Sequence, residues 1–285
     1  MVLRRGGAVR MWACAALLFC VHALGSRPAL AQPNDGGVSF TMGLDGSHAY
    51  FFRGIRQETS GIILQPYFDA TFTLFDGGEG LNSVGLTVGQ WNSVHSSAGA
   101  QPNGPGTWYE SDFYAGLTFG LENWQAGLTY TSYMSPNHSF GTVQELSLSL
   151  SMDDSALLPV PLSPHLGIAI EMSGQADGGA AEGVYLELGV EPGLDLVASN
   201  VSIGFPATLG LSLNNYYEDG AGISDTLGYV DVGAVATVPM TVPESFGSWE
   251  FSGGVHLLRL GRYLEMLNDG ESLQIVASLG VSIAY

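Results

Sequence analysis

Acidic side chains recur on one face of the extended segments of this 285-residue chain. The same face carries a tyrosine, and its members are Asp69, Glu110, Asp112, Tyr114, Glu145, Glu171, Glu187, Asp231 and Glu250. Residues two apart in a strand point to the same side, so these side chains are expected to share one interior. Carboxylates in a narrow lumen focus the electric field and can orient a polar solute. We therefore predict that these residues line a pore.

Positive charge is confined to a few places after residue 31. The chain has no lysine there, and its arginines are Arg53, Arg56, Arg259 and Arg262. If the strands close into a ring, the last strand lies between the first and the eleventh, so we expect one basic cluster on the extracellular rim. One interpretation is an asymmetric mouth that orients a polar solute. The other is that arginine–carboxylate pairs pin loops and plug a narrow barrel.

Metal and catalytic motifs are weak in this sequence. The histidines lack the spacing of a metal site, so we expect neither a metal nor another cofactor. His95-Ser96-Ser97 with Asn103 resembles, over a very short stretch, the His-x-Ser arrangement of an outer-membrane phospholipase. Because a loop histidine beside serine is more often part of a solvated turn, we expect no catalytic residues and no enzyme. An outer-leaflet lipid hydrolase is kept as an alternative.

The elements that position these side chains alternate between apolar and polar residues, with a period of two that indicates strands. In the last segment the apolar face is Leu273, Ile275, Ala277, Leu279, Val281, Ile283 and Tyr285. Twelve segments follow this pattern, and none of their apolar faces contains a charged residue. An arginine or lysine that faces lipid costs roughly 2–4 kcal/mol near the midplane. The absence of charged residues from these faces therefore indicates that they contact the hydrocarbon of a membrane. The predicted fold is all-β, a single 12-stranded antiparallel transmembrane β-barrel, up-and-down, with both termini periplasmic.

The start of the chain is typical of a secretory signal peptide. Three arginines precede an apolar run at 11–24, and small residues follow it. We predict a signal peptide at 1–31, which would remove Cys14 and Cys20, and a barrel at 32–285 in the bacterial outer membrane. The chain that remains would then contain 27 acidic residues and four arginines. This balance excludes nucleic acid as a partner.

Aromatic residues concentrate near the predicted strand ends. They are Tyr50, Phe51, Phe52, Trp91, Trp108, Tyr109, Trp124, Tyr133, Trp249 and Tyr285. Rings with a polar tip prefer the level of the lipid headgroups, so we expect girdles at the two membrane surfaces. Ordinary cross-strand packing is the alternative.

Several short motifs resemble the TorF-type porin family of proteobacterial outer-membrane proteins. They are Tyr50-Phe51-Phe52-Arg53-Gly54-Ile55, Gln65-Pro66-x-x-Asp69, Trp91, Glu110-Ser-Asp112-Phe-Tyr114-Ala-Gly116 and Glu145, and the similarity is clearest over residues 38–150. The family often has a small hydroxyl residue where this chain has Arg56. The resemblance implies an outer-membrane location and solute passage, and it supplies no substrate and no catalytic residue.

These observations predict a porin-like channel for passive passage of small polar solutes. A barrel of this size leaves limited room, so a non-conducting barrel with a structural or loop-mediated binding role is the first alternative. The expected partners are outer-membrane lipids and lipopolysaccharide, and the barrel-assembly machinery through the strand that ends in Tyr285.

Overall fold

The structure is a computed structural model that describes residues 37–97, 106–196, 200–221 and 223–285. The predicted signal peptide at 1–31 and the side chain of Asn103 lie outside the described residues. Among the described residues, no helix is long and apolar enough to cross a bilayer.

Sixteen strands form nearly all of the regular structure. They are β1 (Val38–Ser47), β2 (Tyr50–Phe52), β3 (Ile55–Glu58), β4 (Ile63–Asp76), β5 (Leu81–His95), β6 (Trp108–Leu121), β7 (Trp124–Met134), β8 (Val143–Met152), β9 (His165–Ser173), β10 (Val184–Val190), β11 (Gly193–Leu196), β12 (Val201–Gly204), β13 (Ala207–Asn214), β14 (Leu227–Met240), β15 (Ser248–Leu260) and β16 (Leu273–Ala284). A short helix, α1 (Arg262–Leu267), and a 3₁₀ turn at Glu244–Phe246 complete the elements.

Antiparallel pairing closes the large sheet into a barrel. β1 pairs with β4 on one side and with β16 on the other, and β14 pairs with β15. β10 and β11 follow one another along the same line of the wall, as do β12 and β13, so each pair is one wall strand. The wall therefore has twelve strands, as the sequence predicted.

Two prolines explain why two wall strands are interrupted. Pro192 separates β10 from β11, and Pro206 separates β12 from β13. Proline has no backbone N–H to donate to a ladder. Its carbonyl can still accept, and Phe205 N donates to Pro192 O at 2.8 Å while Gly233 N donates to Pro206 O at 2.8 Å. The barrel therefore stays closed across both breaks.

Side chains alternate across the wall. In β1, Phe40, Met42 and Leu44 are 37–42% exposed on the outside, whereas Asp45 is buried on the inside. The same contrast holds in β8, where Leu148 is 48% exposed and Glu145 is 1% exposed. An apolar outer face with polar residues inside is the arrangement of barrels that contact hydrocarbon.

The first wall strand is shorter than its apolar pattern indicates. Tyr50 and Phe52 continue the alternation of Phe40, Met42 and Leu44 in the sequence, yet β1 ends at Ser47 and the next residues form a separate hairpin, β2–β3. Its turn is Arg53-Gly54, with φ of 48° and 80°. A two-residue turn with positive φ at both positions has the twist that a tight hairpin needs. The chain therefore folds back on itself instead of extending the wall.

The barrel has two different ends. At the terminal end, Phe40 and Tyr285 exchange backbone hydrogen bonds of 2.8 Å beside the start of β1 and the end of β16. At the loop end lie the β2–β3 hairpin, the connections at 174–183 and 215–226, and the segment at 261–272 that contains α1. Which end faces the cell exterior stays a prediction.

Candidate functional site: a hairpin latched inside the barrel

The β2–β3 hairpin occupies the lumen near the loop end. Tyr50 and Phe51 are each 1% exposed, and Phe52 and Ile55 are also buried. The hairpin turns inward because these side chains are apolar or aromatic and would otherwise face water above the barrel. A void of about 10 Å³ remains between the hairpin and strands β15 and β16. That space holds about one water molecule at most, so the hairpin fits closely against this wall.

Arg53 at the hairpin tip is the centre of the site. Its side chain is 0% exposed. Nη1 donates to Glu145 Oε2 at 2.6 Å, and Nη2 donates to Glu145 Oε1 at 2.8 Å. Nη1 also donates to the hydroxyl of Tyr216 at 2.6 Å. A bidentate arginine–carboxylate pair is among the strongest polar contacts in proteins, so the tip is latched to β8.

Aromatic rings surround the Arg53 guanidinium. Its central carbon lies 4.4 Å from the ring centroid of Tyr185, 4.9 Å from that of Phe52 and 5.2 Å from that of Tyr216. The Tyr217 hydroxyl donates to the Arg53 carbonyl at 2.9 Å. Ring faces attract a cation most strongly where water is excluded. The latch therefore joins the hairpin to β8, β10 and the loop at 215–226.

A second contact ties the hairpin to β6. Tyr50 donates from its hydroxyl to Glu110 Oε2 at 2.9 Å. Asp112, two residues along the same face, is 0% exposed, and neither of its carboxylate oxygens has a hydrogen-bond donor among the described residues. Glu110 and Asp112 lie beside each other. The hairpin is therefore held to β6 at Tyr50 as well as to β8 at Arg53.

The other predicted lining residues face the interior but are engaged locally. Tyr114 donates to Asp69, and Glu187 accepts from Tyr185 at 2.8 Å and from Tyr229 at 3.2 Å. Glu171 accepts from the backbone of Ala176 and Gly183 at 2.6 and 2.7 Å, and Asp231 contacts His256 at 2.8 Å. Glu250 is partly buried nearer the terminal end. These acids are held in separate small networks, and their role as a pore lining stays a prediction.

The predicted basic cluster does not include Arg53. Arg53 is buried in the lumen, because the hairpin that carries it folds inward. Arg56 does lie at the loop end, where Nη1 donates to Asp269 at 3.1 Å and Nη2 donates to the Leu267 carbonyl at 3.2 Å. Arg259 and Arg262 are exposed near the same end. The rim expectation is therefore wrong for Arg53, and the plugging alternative describes its contacts.

The predicted aromatic girdles include residues that do not face lipid. Six of the ten predicted rings pack with the residues that fill the lumen, and these are Tyr50, Phe51, Phe52, Trp91, Tyr109 and Tyr133. They contact one another there, and the Tyr50 and Trp91 centroids lie 5.5 Å apart. Trp108, Trp124 and Tyr285 are 48%, 43% and 53% exposed, which suits a membrane surface. The sequence located the rings near strand ends but not the side on which they lie.

Loop residues that the sequence analysis missed cover the latch. Tyr216 and Tyr217 are 0% exposed, although they follow β13 in a loop whose pattern gave no signal of burial. The helix α1 lies beside them, and Tyr263 donates to the Glu218 carbonyl at 2.6 Å. Burial, with acidic neighbours such as Asp177, raises the pKa of Tyr263 to about 12. The phenol therefore stays a neutral donor at ordinary pH.

Carboxylates of the loops accept hydrogen bonds from backbone nitrogens. Asp177 accepts from Gly179 N and Glu218 N, both at 2.8 Å. Burial nevertheless raises the pKa of Asp177, since the burial outweighs these bonds. Glu58 shows the opposite balance. Burial raises its pKa, but hydrogen bonds from Ser97 and Ser60 outweigh the burial, so its pKa lies below the ordinary value. Both contacts fix loops over the mouth of the barrel.

The lumen toward the terminal end has a different character. Its inward residues are mostly small, and Thr118, Gly127, Ser149 and Ser282 are partly exposed. Small hydroxyl residues and glycine leave room for water between the strands. The interior is therefore filled at the loop end and more open toward the terminal end.

The described residues contain no group of three or more His, Cys, Asp and Glu side chains arranged to hold a metal ion. The hydrolase alternative needed His95 on the lipid-facing side. Instead His95 is 2% exposed on the inner face, where it lies 2.9 Å from Ser93 Oγ and stacks on Tyr109 with centroids 4.3 Å apart. Ser96 Oγ accepts a hydrogen bond from Ile62 N. The contacts of His95 are therefore those of a packed interior, whereas Ser96 is exposed.

No family model matches the chain, and no curated protein matches it. Among solved structures, a NanC porin is similar with a TM-score of 0.42 and 11% identity, over 86% of this chain and 98% of that one. The transport unit of the autotransporter AIDA-I from Escherichia coli gives 0.38 and 13%, over 89% and 92%. OmpF from Salmonella typhi gives 0.39 and 9%, over 90% and 100%. The likeness concerns overall architecture alone.

Proposed function

We propose that the protein is an outer-membrane barrel that passes small polar solutes and is closed at rest by the β2–β3 hairpin. In this proposal the loop end faces the cell exterior and the terminal end faces the periplasm. The apolar outer wall supports the membrane location. The resemblance of the motifs around Arg53 and Glu110 to the TorF-type porin family is consistent with it.

One observation carries the proposal: a separate hairpin, and not the wall itself, fills the lumen at the loop end. Ser47 and Ile63 are direct register partners in β1 and β4. The wall is therefore complete without the residues between them. The inward serine, threonine and glycine residues toward the terminal end are partly exposed, and in this proposal they line the polar path that leads up to the hairpin. A removable plug above such a path is what a gated passage requires.

A planar-bilayer experiment tests the proposal. We expect the purified barrel to show little steady conductance, and we expect a variant with residues 49–58 replaced by a short Gly-Ser linker to conduct. The point variant Arg53→Gln should open more often than the wild type, because it loses the charge that Glu145 holds. Asp269→Asn is the matched control, since it removes the negative charge that pairs with Arg56 at the loop end and leaves the latch intact.

Two outcomes would reject the proposal. A wild-type barrel that conducts steadily would show that the hairpin does not close the lumen. A linker variant that folds, as judged by β-sheet circular dichroism, and yet stays closed would favour the second candidate. That candidate is a non-conducting barrel with a structural or loop-mediated role, and the full burial of Arg53 and its partners is the observation in its favour.

A further inference from the structure

A patch of the outer wall is lined by small residues where β14, β15, β16 and β1 meet. Its members are Gly46, Ala234, Ala236, Gly253 and Ala277. They form a shallow depression of about 870 Å³, and Ile62 and Leu279 also line it. Other parts of the wall carry bulky side chains, as at Phe68 and Phe113, which are 43% and 49% exposed. The surface toward hydrocarbon is therefore recessed at this patch.

Arg259 lies above the depression at the loop end, and Arg262 follows three residues later in the chain. Arg259 follows the outward phase of β15 and is four residues beyond Val255, which lines the depression. At about 3.3 Å per residue, that separation is roughly 13 Å along the strand. Arg262, at the first residue of α1, is also exposed. The two cations thus stand near the level at which lipid headgroups would meet the barrel.

These two arginines differ from the others in their partners. Arg53 pairs with Glu145 and Arg56 pairs with Asp269. Neither Arg259 nor Arg262 forms an ion pair with a carboxylate within the described part of the chain, and Arg259 donates only to the hydroxyl of Ser272 there. Exposed guanidinium groups without a counter-ion, on a chain rich in acids, complement an external anion.

The wall between the arginines and the depression is continuous and apolar. Leu257 lies between Val232 and Ile275 in one row of the sheet, two residues from Arg259. The next row is Ala234, Val255 and Ala277, which already belongs to the depression. A ligand with a phosphate at Arg259 could therefore lay an acyl chain over these rows without meeting a polar side chain.

We infer that this surface binds a phosphorylated glycolipid of the outer leaflet. Its phosphate contacts Arg259 and Arg262, and one of its acyl chains fills the depression at Ala277 and Gly253. The inference rests on the proposed orientation, in which the loop end faces outward. Charge and shape both contribute to the free energy of lipid binding. Each basic residue near a lipid surface contributes about 1 kcal/mol, and each methylene group of the acyl chain that is buried in the depression contributes further.

Native mass spectrometry of the detergent-solubilised barrel with added hexa-acylated, diphosphorylated lipid A tests the inference. We expect bound lipid A on the wild type and about a fivefold weaker affinity for each of Arg259→Gln and Arg262→Gln. Ala277→Leu should also weaken binding, because it fills the recess. Arg56→Gln and Ala115→Leu are the matched controls, the first at a paired arginine and the second at an exposed alanine on the distant strand β6.

The competing outcomes are distinct. Equal retention of phosphatidylglycerol would show a general anion surface and overturn the glycolipid assignment. Binding that is insensitive to Arg259→Gln, Arg262→Gln and Ala277→Leu would overturn the site itself. Conductance of the same variants separates this result from the proposed function, because none of the three changes touches the hairpin. A barrel that proves open at rest can still bind lipid A at its outer wall.

Discussion

At the residue scale, the molecule depends on a buried charge that is paired with a carboxylate. Arg53 is fully buried at the filled end of the lumen, and Glu145 compensates its charge through two hydrogen bonds. Removing one partner of a buried pair leaves the other charge without compensation, which costs more than the pair contributes. The energetic role of the latch is therefore visible only when its two members are changed separately and together.

We predict that Glu145→Gln destabilises the barrel by about 3–5 kcal/mol, because Arg53 stays charged and buried without a counter-ion. Urea unfolding in lipid vesicles, followed by tryptophan fluorescence, measures the effect. The double variant Arg53→Met with Glu145→Gln should recover most of the loss, since neither of the two positions then carries a charge. A double variant as unstable as Glu145→Gln alone would contradict this account of the latch.

At the element scale, the hairpin is defined by a turn that only a few residues can form. Gly54 has a φ of 80°, and a Cβ added there would lie 2.6 Å from Leu264 Cδ1 and 3.1 Å from Tyr229 Cδ1. Glycine is needed both for the backbone conformation and for the close approach of α1 and β14. The turn therefore sets the depth to which the hairpin reaches into the lumen.

We predict that Gly54→Ala lowers the free energy of unfolding by about 1–3 kcal/mol, through strain in the turn and contact with Leu264. It should also increase cleavage of the hairpin by added protease, because the tip cannot seat fully. Gly78→Ala is the control, since a Cβ there meets nothing within 4 Å. Equal stability of the two variants would mean that the turn does not position the hairpin.

The wall strands could be predicted from the sequence, whereas the hairpin could not. Alternation identifies β8 or β16 because each strand has one apolar face and one polar face. Tyr50, Phe51 and Phe52 continue an apolar stretch, and nothing local distinguishes a ring that faces lipid from a ring that fills a lumen. The pair Arg53-Gly54 is the available signal for a turn. The burial of Tyr216 and Tyr217 depends on distant partners, so no local pattern could reveal it.

At the scale of the whole molecule, the charged residues that the structure describes lie inside the barrel or at its two ends, and the middle of the outer wall carries none of them. Carboxylates such as Asp112 and Glu145 lie inside, and the described outer wall carries no charged side chain between its two ends. Arg259 stands on the outward phase only near the loop end of β15. Such a distribution follows if hydrocarbon surrounds the middle of the wall, because the cost of an outward charge depends on its depth.

The depth dependence gives the last prediction. Leu148 lies near the middle of β8 on the outside, and Leu273 lies at the loop end beside Arg259. In lipid vesicles we expect Leu148→Arg to cost roughly 2–4 kcal/mol and Leu273→Arg to cost roughly 0–1 kcal/mol. Urea titration of both variants, with Leu148→Met as the control for shape, measures the difference. Equal costs at the two depths would mean that water, and not hydrocarbon, surrounds the wall, because in water the cost of an outward charge does not depend on its position along the strand.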